Sequence, residues 1–327
     1  MKRILALFAG IILLVGGCSK VENNQEATED LSAPTGRKCT SHEMLQQQLA
    51  EDPGFARRFA EIEEFTQEVL RNPQQYRLLA DGTIEIPVHV NVLYRTTAEN
   101  VNQAQIQSQI DVLNEDFGFT NADRTQIPST FTNLAAGDCK IKFTWDPTTG
   151  TTRKSTTKTS WRTNDDMKRS TKGGINPTSP TTKLNIWVCT LANGILGYAQ
   201  FPGGSSATDG VVILNTAFGR TGTVRAPFNK GRTATHEVGH WLNLRHIWGD
   251  ATCGSDLVND TPTHNTANYG CPASGHRSTC SGTPVEMTMN YMDYTDDACM
   301  YMFSLGQKSR MLATFASGSP RNTFAQP

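Results

Sequence analysis

Apolar and polar positions along the chain fall into segments of two periods. From Ile84 to Tyr94 the alternation is strict, with Ile84, Ile86, Val88, Val90, Val92 and Tyr94 sharing one face. That period of two predicts a strand, and Pro87 within it points to a strand beginning or an edge position. Upstream, between about Thr40 and Leu70, Phe55, Phe59, Ile62 and Val69 recur at helical spacing. Asp52-Pro53 supplies a start signal there and Asn72-Pro73 a stop. Ile106, Ile110, Leu113 and Phe117 predict a further helix, with Asn102 and Gln105 as a capping pair. Short strands are expected over 140–145, 184–190 and 211–214, a helix over Thr233–Leu244 and a last helix near 306–315. The Thr/Ser-rich stretch 148–183 reads as strand edge and surface loop, its basic residues as a solvated face. This order has no repeats and defines an α+β domain behind a small helical unit.

The first residues belong outside that fold. Met1-Lys2-Arg3 is a basic start, and Ile4 to Val15 is an apolar run too short for the ~20 residues of a membrane span. It ends in Leu14-Val15-Gly16-Gly17-Cys18, which is similar to a bacterial lipobox. Residues 1–18 are therefore expected to be a lipoprotein-type signal with lipidation of Cys18, and polar 19–36 a flexible tether. The location is extracytoplasmic, at the cell surface or periplasm or secreted after processing, and contact with a membrane runs through the lipid alone. Lys+Arg 30 against Asp+Glu 31 gives a net charge of −1, so nothing favours nucleic acid as a partner. Seven cysteines follow Cys18: Cys39, Cys139, Cys189, Cys253, Cys271, Cys280 and Cys299. No CxxC pair among them suggests a zinc ribbon or redox centre, and the last four allow three pairings.

One run carries chemistry. His236-Glu237-Val238-Gly239-His240 is followed six residues later by His246. Four residues apart on a helix, His236 and His240 leave one face about 5–6 Å apart at Cβ, within reach of a shared Zn²⁺. Glu237, beside the first ligand, is placed to take a proton from a water at the metal. A third imidazole from His246 leaves a fourth position open, which marks a catalytic rather than a structural zinc site.

Together with Asn290-Tyr291-Met292-Asp293-Tyr294-Thr295-Asp296-Asp297, this run resembles the pappalysin family of metzincin metalloproteases, in its bacterial cytophagalysin, ulilysin and mirolysin branch. The similarity runs from about Ile84 through Met311 and includes Leu184–Cys189, Gly197–Pro202 and Cys299–Ser304. It implies a mixed twisted sheet, an active-site helix and an irregular, disulfide-bonded C-terminal subdomain, with 37–80 as propeptide and 81–327 as catalytic domain. It further implies Met292 as the Met-turn under the zinc, rather than its neighbours Met287 and Met289, and Tyr294 as a donor to the developing oxyanion. Metzincins generally carry Gly where this chain has Asn243; Asn is the next most tolerant residue for a left-handed turn.

By the same resemblance Cys253 pairs with Cys280 and Cys271 with Cys299. Asp256, Asn259 and Thr261 match a calcium site, Asp297 a pocket that favours Arg, and Lys less so, just after the scissile bond, and Cys39 the propeptide cysteine that caps the zinc. Cys139 and Cys189 are then left to pair or to remain thiols. Tyr76–Arg77 and Leu70–Arg71 would be self-processing bonds. The expected function is a zinc metalloendopeptidase acting on proteins or peptides, with Zn²⁺ and Ca²⁺ as cofactors. The competing class is a non-catalytic surface lipoprotein with structural zinc, and the intact Glu237 argues against it.

Overall fold

The computed structural model of the chain describes residues 36–72 and 82–325. Cys18 and the Tyr76–Arg77 bond lie outside those residues. Along the chain come α1 (Ser41–Glu51), α2 (Pro53–Arg71), β1 (Ile84–Tyr94), α3 (Gln103–Phe117), β2 (Ile141–Thr144) and β3 (Thr151–Ser155). Then follow β4 (Leu184–Cys189), β5 (Gly197–Ala199), β6 (Val211–Leu214), α4 (Arg232–Trp241) and α5 (Leu305–Ala313).

The strands form one sheet in the order β2-β1-β4-β6-β5, with β3 paired to β1 beyond β2. Its pairs are parallel except for the edge strand β5, which runs antiparallel to β6 with Gly197 opposite Ile213. Pro87 pairs in register with Thr144 just before β4 joins at Val88, so its missing donor falls where β1 has a neighbour on one side only. From Val88 to Leu93 both faces of β1 are buried, where alternation alone predicted one. Alternate residues of β4 show why. Leu184, Ile186 and Val188 pack with Ile106, Ile110, Leu113, Phe117, Val238 and Trp241 of α3 and α4. Trp187 and Cys189 pack on the other face with Trp161, Met167 and Ile175.

Those last three residues come from 156–183, so this stretch is a cover for the sheet rather than a surface loop. Its basic residues are not all solvated. Lys168 is buried, with Nζ 2.8 Å from Thr208 O and 3.0 Å from Asp165, over the rings of Trp187 and Tyr198. Cys139 and Cys189 do not pair: both are buried thiols, on opposite faces of the sheet.

The expected caps form. Asp52 accepts from Gly54 N at 2.9 Å and separates α1 from α2, and Asn102 accepts from Gln105 N at 2.8 Å. Residues 249–304 are largely irregular, held by Cys253–Cys280 and Cys271–Cys299. The helical N-terminal unit lies across the domain. Phe55 and Phe59 pack with Phe201, and Val69 packs with Ala313 and Ala316.

Candidate active site

Helix α4 is buried at every position and carries His236, Glu237 and His240. Leu242 N closes on Val238 O, and Asn243 then takes φ +71°, the left-handed conformation its side chain tolerates. Leu244 N returns to Gly239 O at 2.9 Å, and the chain swings back to present His246. Each imidazole is fixed through Nδ1: His236 on Tyr291 O at 2.7 Å, His240 on Leu244 O at 2.8 Å, His246 on the Asp250 carboxylate at 2.5 Å. With the proton on Nδ1, each Nε2 presents a bare lone pair. Nε2 of His240 lies 3.2 Å from that of His236 and 3.1 Å from that of His246. Three acceptors this close with no proton between them fit a Zn²⁺ ion. Burial, then the neighbouring imidazoles, push His236 and His240 well below the usual histidine range, which keeps them neutral for a metal.

Met292 is fully buried beneath this group, and a Cβ on Gly239 would overlap its sulfur. Met287 and Met289 are buried nearby, but only Met292 meets α4 at that glycine.

A fourth side chain able to ligate a metal comes from the N-terminal unit. Cys39 Sγ lies within 4.8 Å of the three imidazoles, buried, and 3.3 Å from Glu237 Oε2. Ser41 Oγ donates to the same Glu237 oxygen at 2.8 Å and accepts from Ala199 N at 2.8 Å. Burial pushes the Glu237 carboxyl up to about 7, against the hydrogen bonds from Ser41 and Cys39 and the charge of Arg37. Tyr294 is also buried, and its hydroxyl donates to Cys39 O at 2.9 Å. The segment before α1 pairs with the strand bordering the cleft: Leu196 N donates to Lys38 O at 2.9 Å, and Thr40 N to Gly197 O at 3.3 Å. The bridge between Cys39 and Gly197 is parallel.

Asp297 is fully buried rather than solvent-exposed, and it holds Arg37. The guanidinium donates to Asp297 Oδ1 at 2.6 Å, Thr295 O at 3.1 Å and Thr233 Oγ1 at 3.1 Å, and lies over the Phe228 ring. Lys230 N at 2.7 Å and Arg232 N at 3.3 Å hold the other carboxylate oxygen. Sequence reasoning missed Arg37, Ser41 and Asp250. An arginine two residues before the expected switch cysteine was a signal for the first, given the expected Arg pocket. A carboxylate four residues after His246 was a signal for the last.

Three inward imidazoles, a carboxylate beside them and a strand edge along the cleft define a zinc metallopeptidase. The family model described as pregnancy-associated plasma protein-A matches residues 178–316. An extracellular metalloprotease of Verticillium alfalfae is 35% identical over 245 residues, 69% of this chain and 77% of the relative. A promirolysin variant of Tannerella forsythia superposes with a TM-score of 0.79 at 42% identity, over 88% of this chain and 97% of that one. Mature mirolysin from the same organism, in complex with a cleaved peptide, gives 0.71 at 46% identity over 75% and 96%. The chain belongs to the pappalysin family of metalloproteases.

Proposed function

We propose that this metalloprotease is an endopeptidase made latent by its own N-terminal unit and selective for Arg after the scissile bond. The observation that carries the reading is Arg37 seated on the buried Asp297 carboxylate, 2.6 Å away. A buried carboxylate flanked by Thr295 O and the Phe228 ring recognises a guanidinium by charge-assisted hydrogen bonds that a lysine matches less well.

Residues 37–80 then act as propeptide and 81–327 as the catalytic domain. In a substrate cut before Arg, the residue preceding that Arg would reach the zinc. Here Cys39, two residues after Arg37, reaches the imidazoles. The segment thus crosses the cleft in the sense opposite to a substrate and sets the side chains of Cys39 and Ser41 against Glu237. Cys39 Sγ would supply a fourth ligand to a metal held by the imidazoles, and Ser41 occupies the base. Activation requires a cut beyond α2. The Tyr76–Arg77 bond, which follows α2, is suited to self-processing; the Leu70–Arg71 bond falls in the last turn of α2, with Leu70 half-buried, and would need that turn to fray first.

With the unit gone, His236, His240 and His246 would hold Zn²⁺, which would supply the Lewis acidity that makes a water nucleophilic near neutral pH. Glu237 accepts that water's proton and passes it to the leaving amine. Tyr294, released from Cys39 O, donates to the carbonyl oxygen as charge develops there. Leu196 N, Gly197 O and Ala199 N, now free of Lys38, Thr40 and Ser41, pair with substrate backbone as with an added strand.

Calcium is proposed at Asp256 and Thr261. Thr261 Oγ1 lies 2.9 Å from both Asp256 carboxylate oxygens and from Val258 O. Burial pushes the Asp256 carboxyl up to about 6, a cost that a bound cation would offset. Asn259, the third expected ligand, is exposed. Lipidation of Cys18 rests on the lipobox-like run alone.

The test is cleavage of a peptide library by the activated chain, with cut sites mapped by mass spectrometry. We expect cuts before Arg that chelator abolishes, and at least a hundredfold loss of kcat/KM on those sites in Asp297→Asn, consistent with loss of a buried charged pair of about 3 kcal/mol. Cuts with no preference for Arg would remove the pocket and leave the protease.

A further inference from the structure

A second ion pair between the N-terminal unit and the rest of the domain lies outside the zinc cleft. Arg310, on α5, is fully buried, and its Nε donates to Asn243 O at 2.7 Å. The two remaining nitrogens of its fork both reach the Glu63 carboxylate, Nη1 at 2.8 Å from Oε1 and Nη2 to Oε2. Glu63 belongs to α2 and departs with the propeptide. Asn243 O still fixes the guanidinium afterwards, so a preoriented fork is left facing the space that α2 filled. Arg245, half-buried, lies within electrostatic reach of both groups and adds to the positive field.

That space is continuous with the cleft. Phe59, one helical turn before Glu63, meets Phe201 edge-on at 5.9 Å, and Phe201 lies 5.4 Å from the ring of His240. The register along the rim gives the direction. Leu196 faces Lys38 on the Arg-pocket side, Ala199 faces Ser41 past the zinc, and Phe201 lies two residues further on. Arg310 therefore sits on the side that receives residues before the scissile bond. Arg310 is linked to the zinc ligands through the adjacent carbonyls of Asn243, which it holds at 2.7 Å, and Leu244, which His240 Nδ1 meets at 2.8 Å, so the subsite lies a few extended residues from the site.

We propose that propeptide removal uncovers a carboxylate-binding subsite at Arg310, which takes an Asp or Glu side chain of the substrate several residues before the cut. The inference rests on the endopeptidase reading above. Glu63 marks the ligand chemistry, a planar carboxylate held by both nitrogens, and the path through Phe201 makes substrate the occupant.

The experiment uses the full chain activated by limited proteolysis in the segment after Arg71. Peptides with Arg after the scissile bond carry Glu, Gln or Lys in turn at the third to seventh positions before it. We expect Glu over Gln by about tenfold in kcat/KM at one of these positions, expressed mainly in KM, and falling towards unity in Arg310→Gln. Ratios within twofold at every position, or a Glu preference unchanged in Arg310→Gln, would overturn the subsite. So would a flat profile with cut propeptide retained on the enzyme in equal amount, which would give Arg310 to the N-terminal unit alone. Should Arg310→Gln not fold, a peptide of residues 53–72 competing against the Glu substrate, and its Glu63→Gln form competing less well, gives the same reading on the native enzyme. Cuts with no preference for Arg would instead sink the Arg pocket of the reading above, and absence of any cut its endopeptidase activity.

Discussion

Two glycines set the spacing at the centre of the site. A Cβ on Gly197 would come within 2.9 Å of Glu237 Cγ and Oε1, and one on Gly239 would meet Met292. Both let backbone approach where a side chain would push the base or the methionine floor aside. Gly239→Ala is expected to destabilise the domain by about 1–3 kcal/mol through overpacking and to weaken zinc retention. Thermal unfolding with and without chelator reads both effects, and an unchanged midpoint would mean that Met292 moves freely. Glu237→Gln tests a different property of the same helix. The amide keeps the size of the side chain but cannot accept the water's proton, so zinc content should stay at one equivalent while turnover falls about 10²–10⁴-fold. Loss of zinc in that variant would recast Glu237 as part of the metal site.

At the scale of elements, the docking of α1 and α2 depends on two ion pairs that titrate in opposite directions. Burial alone would raise Glu63, but the hydrogen bonds and charge of Arg310 outweigh it and hold the carboxyl below its ordinary 4.5. A depressed carboxyl stabilises the docked form above that value and loses the contribution as pH falls below it. His42 lies 3.1 Å from Asp250, whose hydrogen bond raises it above 6.5 against partial burial. That contribution is complete below 6.5 and is lost as pH rises through the raised value. Docking of α1 and α2 should therefore be firmest between about pH 4.5 and 6.5 and loosen on either side. Nicking of α2 by a broad-specificity protease, followed against pH, measures this. A rate independent of pH, after correction for the probe enzyme, would remove both pairs from the account.

The same elements show what the sequence could and could not disclose. The boundaries of β1 and β6 were legible because apolar residues alone mark them, and the zinc helix because its ligands are spaced by helical geometry. The cover over 156–183 was not. Trp161, Met167 and Ile175 are spread over fifteen positions with no period, and buried Lys168 looks like any surface lysine until Asp165 and Thr208 are brought beside it. The Arg37–Asp297 contact spans 260 positions. No local pattern encodes a partner that far away; only the chemistry expected of the pocket could have pointed to it.

Over the whole molecule, the two halves of the catalytic domain are stabilised by different means. The half around the sheet buries continuous apolar strands between helices and the 156–183 cover. The half after α4 has little regular structure from 249 to 304, yet it supplies Tyr291 O to His236, Asp250 to His246, Met292, Tyr294 and Asp297. Its order rests on Cys253–Cys280 and Cys271–Cys299, with sequence separations of 27 and 28. Closing loops of that length removes about 3–4 kcal/mol of chain entropy each from the unfolded state. Asp297 lies two residues before Cys299, and His264, which accepts from Met287 N, shares the loop closed by Cys253–Cys280. Reduction should thus cost the site before it costs the sheet. Zinc retention and activity ought to fall at reductant concentrations where far-ultraviolet circular dichroism is still native, with the global unfolding midpoint dropping afterwards. The paired variants Cys253→Ser/Cys280→Ser and Cys271→Ser/Cys299→Ser separate the bridges, and the second should weaken the proposed selection for Arg more, since Asp297 lies two residues before Cys299. Simultaneous loss of sheet signal and activity would instead make the domain a single cooperative unit in which the disulfides stabilise the whole fold.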